Sequence, residues 1–308
     1  RNPESRGYIG SFDKLSLAGA AKAIVEVERA DAISHLGSGE TFLTEGVAAA
    51  KAADTVILCL GSDTRNEMED LDRTFLGLPG NQLELAQAVI AANPRTVVVL
   101  FGAGPLTLPW LKEHAPALLQ AWWPGQEGGA ALANVLLGNV NPAGRLPHTV
   151  YASKEQVPSL DEYDVTKGFT YMYLNGAPLY AFGHGLSYTT FAYSNLRVSP
   201  KQIPADGAIT VAVDVQNTGK RPGDEVTQLY FHEVNPVVKR PAKELRGFQR
   251  VSLAPGEKRT LNFNVPAQKL AHWDETKHAF VVNPGAFDIL VGASSEDIRE
   301  KTRIEVTR

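Results

Sequence analysis

Two short segments, Val56–Leu60 (VILCL) and Thr96–Phe101 (TVVVLF), limit the possible folds most tightly. Each is an unbroken apolar run rich in β-branched residues, and Gly61 closes the first. Such runs read as strands buried on both faces, the situation of a parallel sheet covered by helices. Between them Leu83, Ala86, Val89 and Ile90 recur at helical spacing, after the starter Pro79-Gly80-Asn81 and before the stop Asn93-Pro94. The alternation extends both ways. Thr44–Ala53 is alanine-rich and helix-prone, Leu106–Glu113 reads as a short helix, and Leu118–Trp122 reads as a third strand. Leu132, Val135 and Leu136 then share a helical face that stops at Gly138. Strand–helix alternation predicts an α/β domain with a mainly parallel sheet, helices on both faces.

The pattern changes after Gly144. Gly144–Tyr188 is rich in Tyr, Gly and Pro without a sustained period, as expected of a connecting and edge segment. From Phe191 apolar residues alternate: Val211, Val213, Val215; Leu261, Phe263, Val265; Phe287, Ile289, Val291. Turn residues such as Asn217-Thr218-Gly219 and Pro255-Gly256-Glu257 separate these runs, which together predict a β-sandwich. The expected division is an α/β domain over 1–180 with an incomplete or divergent start, a connector over 181–190, and an all-β domain over 191–308.

With 44% hydrophobic and 21% charged residues, the chain is not compositionally disordered. A net charge of -4 gives no electrostatic reason to expect nucleic acid. No apolar run approaches the roughly 20 residues of a membrane helix. The one cysteine, Cys59, lies inside the first strand and reads as a small core residue, so no internal disulfide is available. The opening RNPESRGYIG has neither Met nor an apolar signal core, and is expected of a processed product or a piece of a longer protein.

Ligands of open α/β sheets bind outside the carboxyl ends of the strands. There, after Gly61, a loop carries Glu67, Glu69, Asp70 and Asp72 before Arg73. On composition alone this reads as a solvated acidic loop paired with Arg65 and Arg73; a carboxyl group there could also donate a proton. Elsewhere the bland readings are preferred. Gln126-Glu127-Gly128-Gly129 opens a helix and lacks the Lys-Ser/Thr ending of a phosphate loop. Of Trp122 and Trp123, at least one is expected in the core. His184, between two glycines, has no ligand-spaced neighbour, and no metal site is expected. Asp224-Glu225 and Ser294-Ser295-Glu296-Asp297 read as solvated turns.

Longer strings carry a resemblance. WWPGQEGGAALANVLLGNVNPAGRLPHT at Trp122–Thr149 resembles the WxPGQEGGxAxAxxLxGxxNPxGRLPxT segment of family 3 glycoside hydrolases. LYAFGHGLSYTTF at Leu179–Phe191 is similar to the YPFGxGLSYT joint between their second and third domains. NTGKRPGDEVTQLYF, KRPAKELRGFQRVSLAPGEK and NPGAFDILVGASSEDI resemble their fibronectin-III-like domain. The resemblance covers roughly 53–298. It implies the second half of a retaining β-glucosidase or β-xylosidase, in which a (β/α)8 barrel of about 250 residues precedes these two domains. The family's nucleophilic Asp lies on that barrel in a Ser/Thr-Asp-Trp/Tyr type motif, and no Asp-Trp or Asp-Tyr pair occurs in this chain.

Retaining glycosidases use two carboxyl groups about 5–5.5 Å apart, one nucleophile and one acid/base. In the family the acid/base often sits after this strand in patterns like E-G-x-D-R, which Glu69–Arg73 matches, with Asp70 where Gly is usual. The resemblance therefore implies Glu69 as acid/base, with Glu67 as the alternative from related E-x-E-x-x-D-R arrangements. Asp72 and Arg73 are given supporting roles, Arg73 holding the loop or orienting Glu69. Met172 stands where relatives commonly have Arg or Lys. The implied partners are a β-glycoside or oligosaccharide and a barrel-containing chain carrying the nucleophilic Asp. No cofactor, nucleic acid or membrane is implied, and the compartment is left open among extracellular, periplasmic and lysosomal or vacuolar. The opposing reading is a non-catalytic carbohydrate-binding or assembly subunit. A nucleotide-binding domain ranks below both, since the strand–helix turns lack G-x-G-x-x-G.

Overall fold

A computed structural model describes residues 24–25, 40–64, 66–70 and 73–307. Most of the expected divergent start, together with Asp72 and Arg65, lies outside the described residues. The chain divides into two compact units: one runs to Val140 and includes Ala152–Lys154, and the other comprises Asn141–Tyr151 and Glu155–Arg308.

The first unit is built on a four-stranded sheet of β1 (Ile24–Val25), β2 (Val56–Gly61), β3 (Thr96–Phe101) and β4 (Ala117–Gln120), adjacent in that order and all parallel. β2 and β3 run in step, Val56 opposite Thr96 and Gly61 opposite Phe101. Successive side chains alternate between faces, so a run buried throughout must meet helices on each side. It does. Val56, Leu58, Leu60, Val98 and Leu100 pack with Ala50 of α1 (Glu40–Ala52), Leu85, Ala86 and Val89 of α2 (Gln82–Ala92), and Leu111 of α3 (Pro109–His114). Ile57, Cys59 and Val99 meet Leu132 of α4 (Gly128–Leu136) on the opposite face. Each fully buried Val or Leu contributes about 1.5–3 kcal/mol. The Cys59 thiol is buried, and desolvation pushes its pKa up to about 12, as suits a core residue.

Asn93, the stop residue of α2, also anchors α1: its Nδ2 donates to the carbonyls of Ala50 (2.9 Å) and Ala53 (2.8 Å). The third expected strand is shorter than its sequence suggests. It ends at Gln120, because Trp122 takes the left-handed region (φ 57), which a strand cannot continue through.

Residues 141–151 and 155–190 of the second unit are largely irregular, with a short α-helix, α5 (Thr170–Tyr173), a single 3-10 turn at Val165–Lys167, and a bridge between Val150 and Tyr180. The sandwich follows. One sheet has the order β10-β7-β5, built from β5 (Phe191–Ser199), β7 (Ala208–Asn217) and β10 (Lys258–Pro266). The other has the order β6-β14-β13-β8-β9, built from β6 (Gln202–Pro204), β8 (Gly223–Glu233), β9 (Glu244–Leu253), β13 (Gly285–Gly292) and β14 (Ile298–Thr307). A small hairpin pairs β11 (His272–Asp274) with β12 (Ala279–Val281). The three alternating runs found in sequence supply much of the core between the sheets: Val211, Val213, Val215, Leu261, Phe263, Val265, Phe287, Ile289 and Val291.

Two expectations are corrected here. Glu225 is buried, not solvated. It belongs to β8, faces inward, and receives Nη2 of Arg145 at 3.2 Å and the Tyr193 hydroxyl at 2.9 Å. Burial, reinforced by the Glu225 charge, pushes the Tyr193 phenol pKa up. Ser294 and Ser295 are also buried, and the Ser294 hydroxyl accepts from the N–H groups of Glu296 and Asp297. His184 is a joint residue as expected, its ring tilted against Tyr180 and its carbonyl accepting from the Leu146 N–H.

Candidate active site

The carboxyl ends of β2, β3 and β4 point to one edge of the sheet, and three loops gather there, after Gly61, Phe101 and Gln120. The β2 loop begins with a single tight turn, in which the N–H groups of Asn66 and Glu67 both return to the Asp63 carbonyl. That turn brings Glu67 back over the strand end, where it is 6% exposed. One carboxylate oxygen accepts from the Ser62 hydroxyl (2.6 Å), the Ala103 N–H (2.7 Å) and, more weakly, the Gly104 N–H (3.3 Å). The other lies 2.8 Å from Nε of Arg73, an ion pair rather than an aligned hydrogen bond. Arg73 completes the bracket by donating from Nη2 to the Pro105 carbonyl at 2.8 Å.

The β3 loop can deliver those amides only because of its glycines. A side chain on Gly102 (φ +154) would sit 2.6 Å from Oγ of Ser62, and one on Gly104 would sit 2.7 Å from Nη2 of Arg73. Nearby, Gln82 at the start of α2 closes a two-way amide pair with Gly61: its Nε2 donates to the Gly61 carbonyl (2.8 Å) while its Oε1 accepts from the Gly61 N–H (2.7 Å). Ser62 and Gln82 carry no motif signal; their roles emerge only once the strand ends are in place.

Glu69 is exposed, and among the described residues no hydrogen bond or ion pair holds it. Asp70 beside it adopts φ 66, the left-handed region that glycine enters freely and Asp at modest cost. So Asp70 holds the backbone shape that a glycine at this position would. Arg73 is directed at Glu67 and Pro105, not at Glu69. Around the loop three apolar side chains are exposed: Met68 at 58%, Phe75 at 43% and Trp123 at 41%. Trp123 donates from Nε1 to the Ser62 carbonyl at 3.4 Å, and Trp122 beside it is half-buried and belongs to none of the core clusters, so neither tryptophan takes the core place expected of one of them. The Gln126–Gly129 segment does open a helix, α4, with Glu127 at its N-cap position; Gly128 packs where a side chain would meet Pro124 at 2.4 Å. Among the described residues no group of three His, Cys, Asp or Glu side chains is placed to hold a metal ion.

Comparison with known proteins places this arrangement. Residues 7–188 match the glycosyl hydrolase family 3 C-terminal domain, and residues 225–295 match the fibronectin type III-like domain. Thermostable beta-glucosidase B of Acetivibrio thermocellus is 35% identical over 310 residues, covering 96% of this chain and 41% of that protein. A beta-xylosidase of Formosa agariphila is 40% identical over 257 residues, covering 82% and 35%. The crystal structure of a beta-glucosidase from Kluyveromyces marxianus with glucose superposes with a TM-score of 0.81 at 35% identity, covering 88% of this chain and 34% of that one. The chain thus spans well under half the length of each of these relatives. With an α/β unit and a β-sandwich in the order both domain matches require, it belongs to glycosyl hydrolase family 3 and corresponds to the C-terminal portion of its members.

Proposed function

We propose that this chain is the acid/base-bearing portion of a retaining enzyme that removes terminal β-linked glucosyl or xylosyl residues. Glu69 is the acid/base. It protonates the departing glycosidic oxygen while a barrel Asp attacks the anomeric carbon, and its carboxylate then takes a proton from the water that breaks the glycosyl–Asp ester. The observation that carries this reading is the contrast within one loop. The carboxylate of Glu67 is engaged by Ser62, two backbone amides and Arg73, whereas Glu69 is exposed with no partner among the described residues. A group that must both give and take a proton needs an unengaged oxygen. Glu67 shapes the loop, Arg73 positions Glu67, and Asp72 is assigned a supporting role from its place in the E-x-E-x-x-D-R spacing. The barrel bearing the nucleophile lies in the larger enzyme, on a separate chain or another segment. The domain limits near 180 and 190 belong to the same reading, supported by a family match that ends at residue 188.

The test is Glu69→Gln in the larger enzyme. Turnover of alkyl or oligosaccharide glycosides is expected to fall by about 10²–10⁴-fold. Glycosylation by activated aryl glycosides, whose leaving groups need no proton, should survive, and azide should restore the second step. If Glu67→Gln gives that pattern instead, Glu67 is the acid/base. If neither does, the loop is not the proton donor and the non-catalytic carbohydrate-binding reading takes its place.

A further inference from the structure

The β-sandwich unit carries a second feature shaped for a ligand. A cleft of about 870 Å³ opens between the segment after β6, the turn that precedes β11, and β12. Its apolar side is formed by Pro204, Ala271, Val282 and the ring of Phe280. Phe280 is 74% exposed, and its cross-strand partner Trp273 is 46% exposed. The two rings meet edge to face, with centroids 5.4 Å apart and planes at 73°. A three-residue hairpin that turns both its aromatic residues outward gives up hydrophobic burial worth about 1.5–3 kcal/mol for each large side chain. A bound partner would recover it.

The hairpin is held firmly. The Asp274 carboxylate accepts from the N–H groups of Thr276 (2.9 Å) and Lys277 (3.0 Å), fixing the turn. Arg240 donates to the carbonyls of Leu270 (3.0 Å) and Ala271 (3.4 Å), fixing the turn that leads into it. The rings therefore present a preformed surface, which lowers the entropic cost of binding.

The polar side selects the chemistry. Asp206, Arg246, Gln268 and Lys269 line it. Arg246 and Arg240 are offset by Glu244 and Glu233, with Arg246 2.7 Å from Glu244, and the lining adds one further acid, Asp206, and one further base, Lys269, so the cleft favours no net charge. Among the described residues the Asp206 carboxylate and the Gln268 amide have no hydrogen-bond partner, and Lys269 Nζ has only the Arg246 carbonyl at 3.3 Å. An uncharged ligand with one flat C–H face and a perimeter of hydroxyls fits both sides. We propose that this cleft binds a pyranose unit of a neutral oligosaccharide, stacked on Phe280 with Trp273 flanking it and its hydroxyls on Asp206, Gln268 and Lys269; only the choice of β-linked probes rests on the function proposed above.

The test titrates the 308-residue chain with cellohexaose and xylohexaose, read by calorimetry and tryptophan fluorescence. At least one is expected to bind saturably at concentrations below about 10 mM. Phe280→Ala and Trp273→Ala should each weaken it about tenfold, with unchanged circular dichroism and Tm. Trp273→Phe should keep the affinity within about threefold while abolishing the fluorescence change. Asp206→Asn separates hydroxyl recognition from stacking and should weaken binding several-fold. Glu69→Gln, on the other unit, should leave it unchanged, which distinguishes this site from the proposed active site. No saturable binding, or binding indifferent to Phe280→Ala, overturns the proposal. So does sedimentation showing that the aromatic pair instead joins two copies of the chain, with self-association lost in Phe280→Ala.

Discussion

Replacing Glu67 by Gln removes one charge from a buried pair and leaves the Arg73 guanidinium in place. Their side chains are 6% and 13% exposed. Breaking such a pair from one side costs about 3–5 kcal/mol, and the small residual exposure favours the lower end. Urea unfolding is expected to show that loss for Glu67→Gln and a change within about 0.5 kcal/mol for Glu69→Gln, a surface substitution without partners. Equal effects would mean that the pair does not hold the loop. The family resemblance already ranks Glu69 first, but the physical difference between the two glutamates was not readable in the sequence. It is created by amides of residues 103 and 104, some 36 positions away, which reach only the nearer glutamate. Asp70 stands where the family usually has Gly, which left the backbone shape of the loop open in sequence; the structure puts Asp70 itself in the left-handed region.

Within the sandwich, β7 carries an acid whose hydrogen bonds come from two neighbouring strands. Asp214 accepts from Asn195 (2.9 Å) and Thr260 (2.7 Å), and those bonds, with Arg197 nearby, hold its pKa below the ordinary carboxylate value. A carboxyl with a depressed folded pKa contributes stability above its unfolded pKa of about 3.9, and that contribution is lost as pH falls through the folded value. Urea midpoints measured from pH 6 down to about 3 should therefore fall more steeply for the native chain than for Asp214→Asn; parallel curves would refute this. The strands β7, β10 and β13 were well marked in sequence, because period-two runs bounded by turn residues have few other uses, whereas the remaining strands of the sandwich carried no run that was read on its own. Where the reading failed, at Asp224-Glu225, the cause is the same periodicity. Adjacent acids in a strand face opposite ways, so Asp224 meets Arg250 on the exposed face while Glu225 turns inward to Arg145, 80 residues earlier in the chain. A local window sees two acids after a turn. It cannot see the arginine that makes burial of one affordable.

On the proposed function, the whole chain supplies one of the two carboxylates that the chemistry needs. Assayed alone on aryl β-glucoside and β-xyloside, it should show background rates only, because without the nucleophile the covalent step that divides the barrier is missing. Robust turnover, with a glycosyl group trapped on one of its own carboxylates, would end the proposed division of labour. Helix and strand order in the α/β unit was legible because buried parallel strands and amphipathic helices have distinct periods, whereas the exposed cleft on the sandwich had no sequence signature of its own. The Gln82–Gly61 amide pair has a consequence of a different kind. It fastens together the two ends of the segment running from Ser62 to Asn81, so the entropy of closing that loop depends little on what lies inside it. The segment behaves as a cassette in a fixed socket: its exposed positions, such as Met68, Glu69 and Phe75, can be exchanged while β2 and α2 stay in register, whereas Arg73, paired with Glu67, and Leu78, buried in the core, are its fixed points. A single side chain thereby lets the exposed part of this segment vary on a frame that does not.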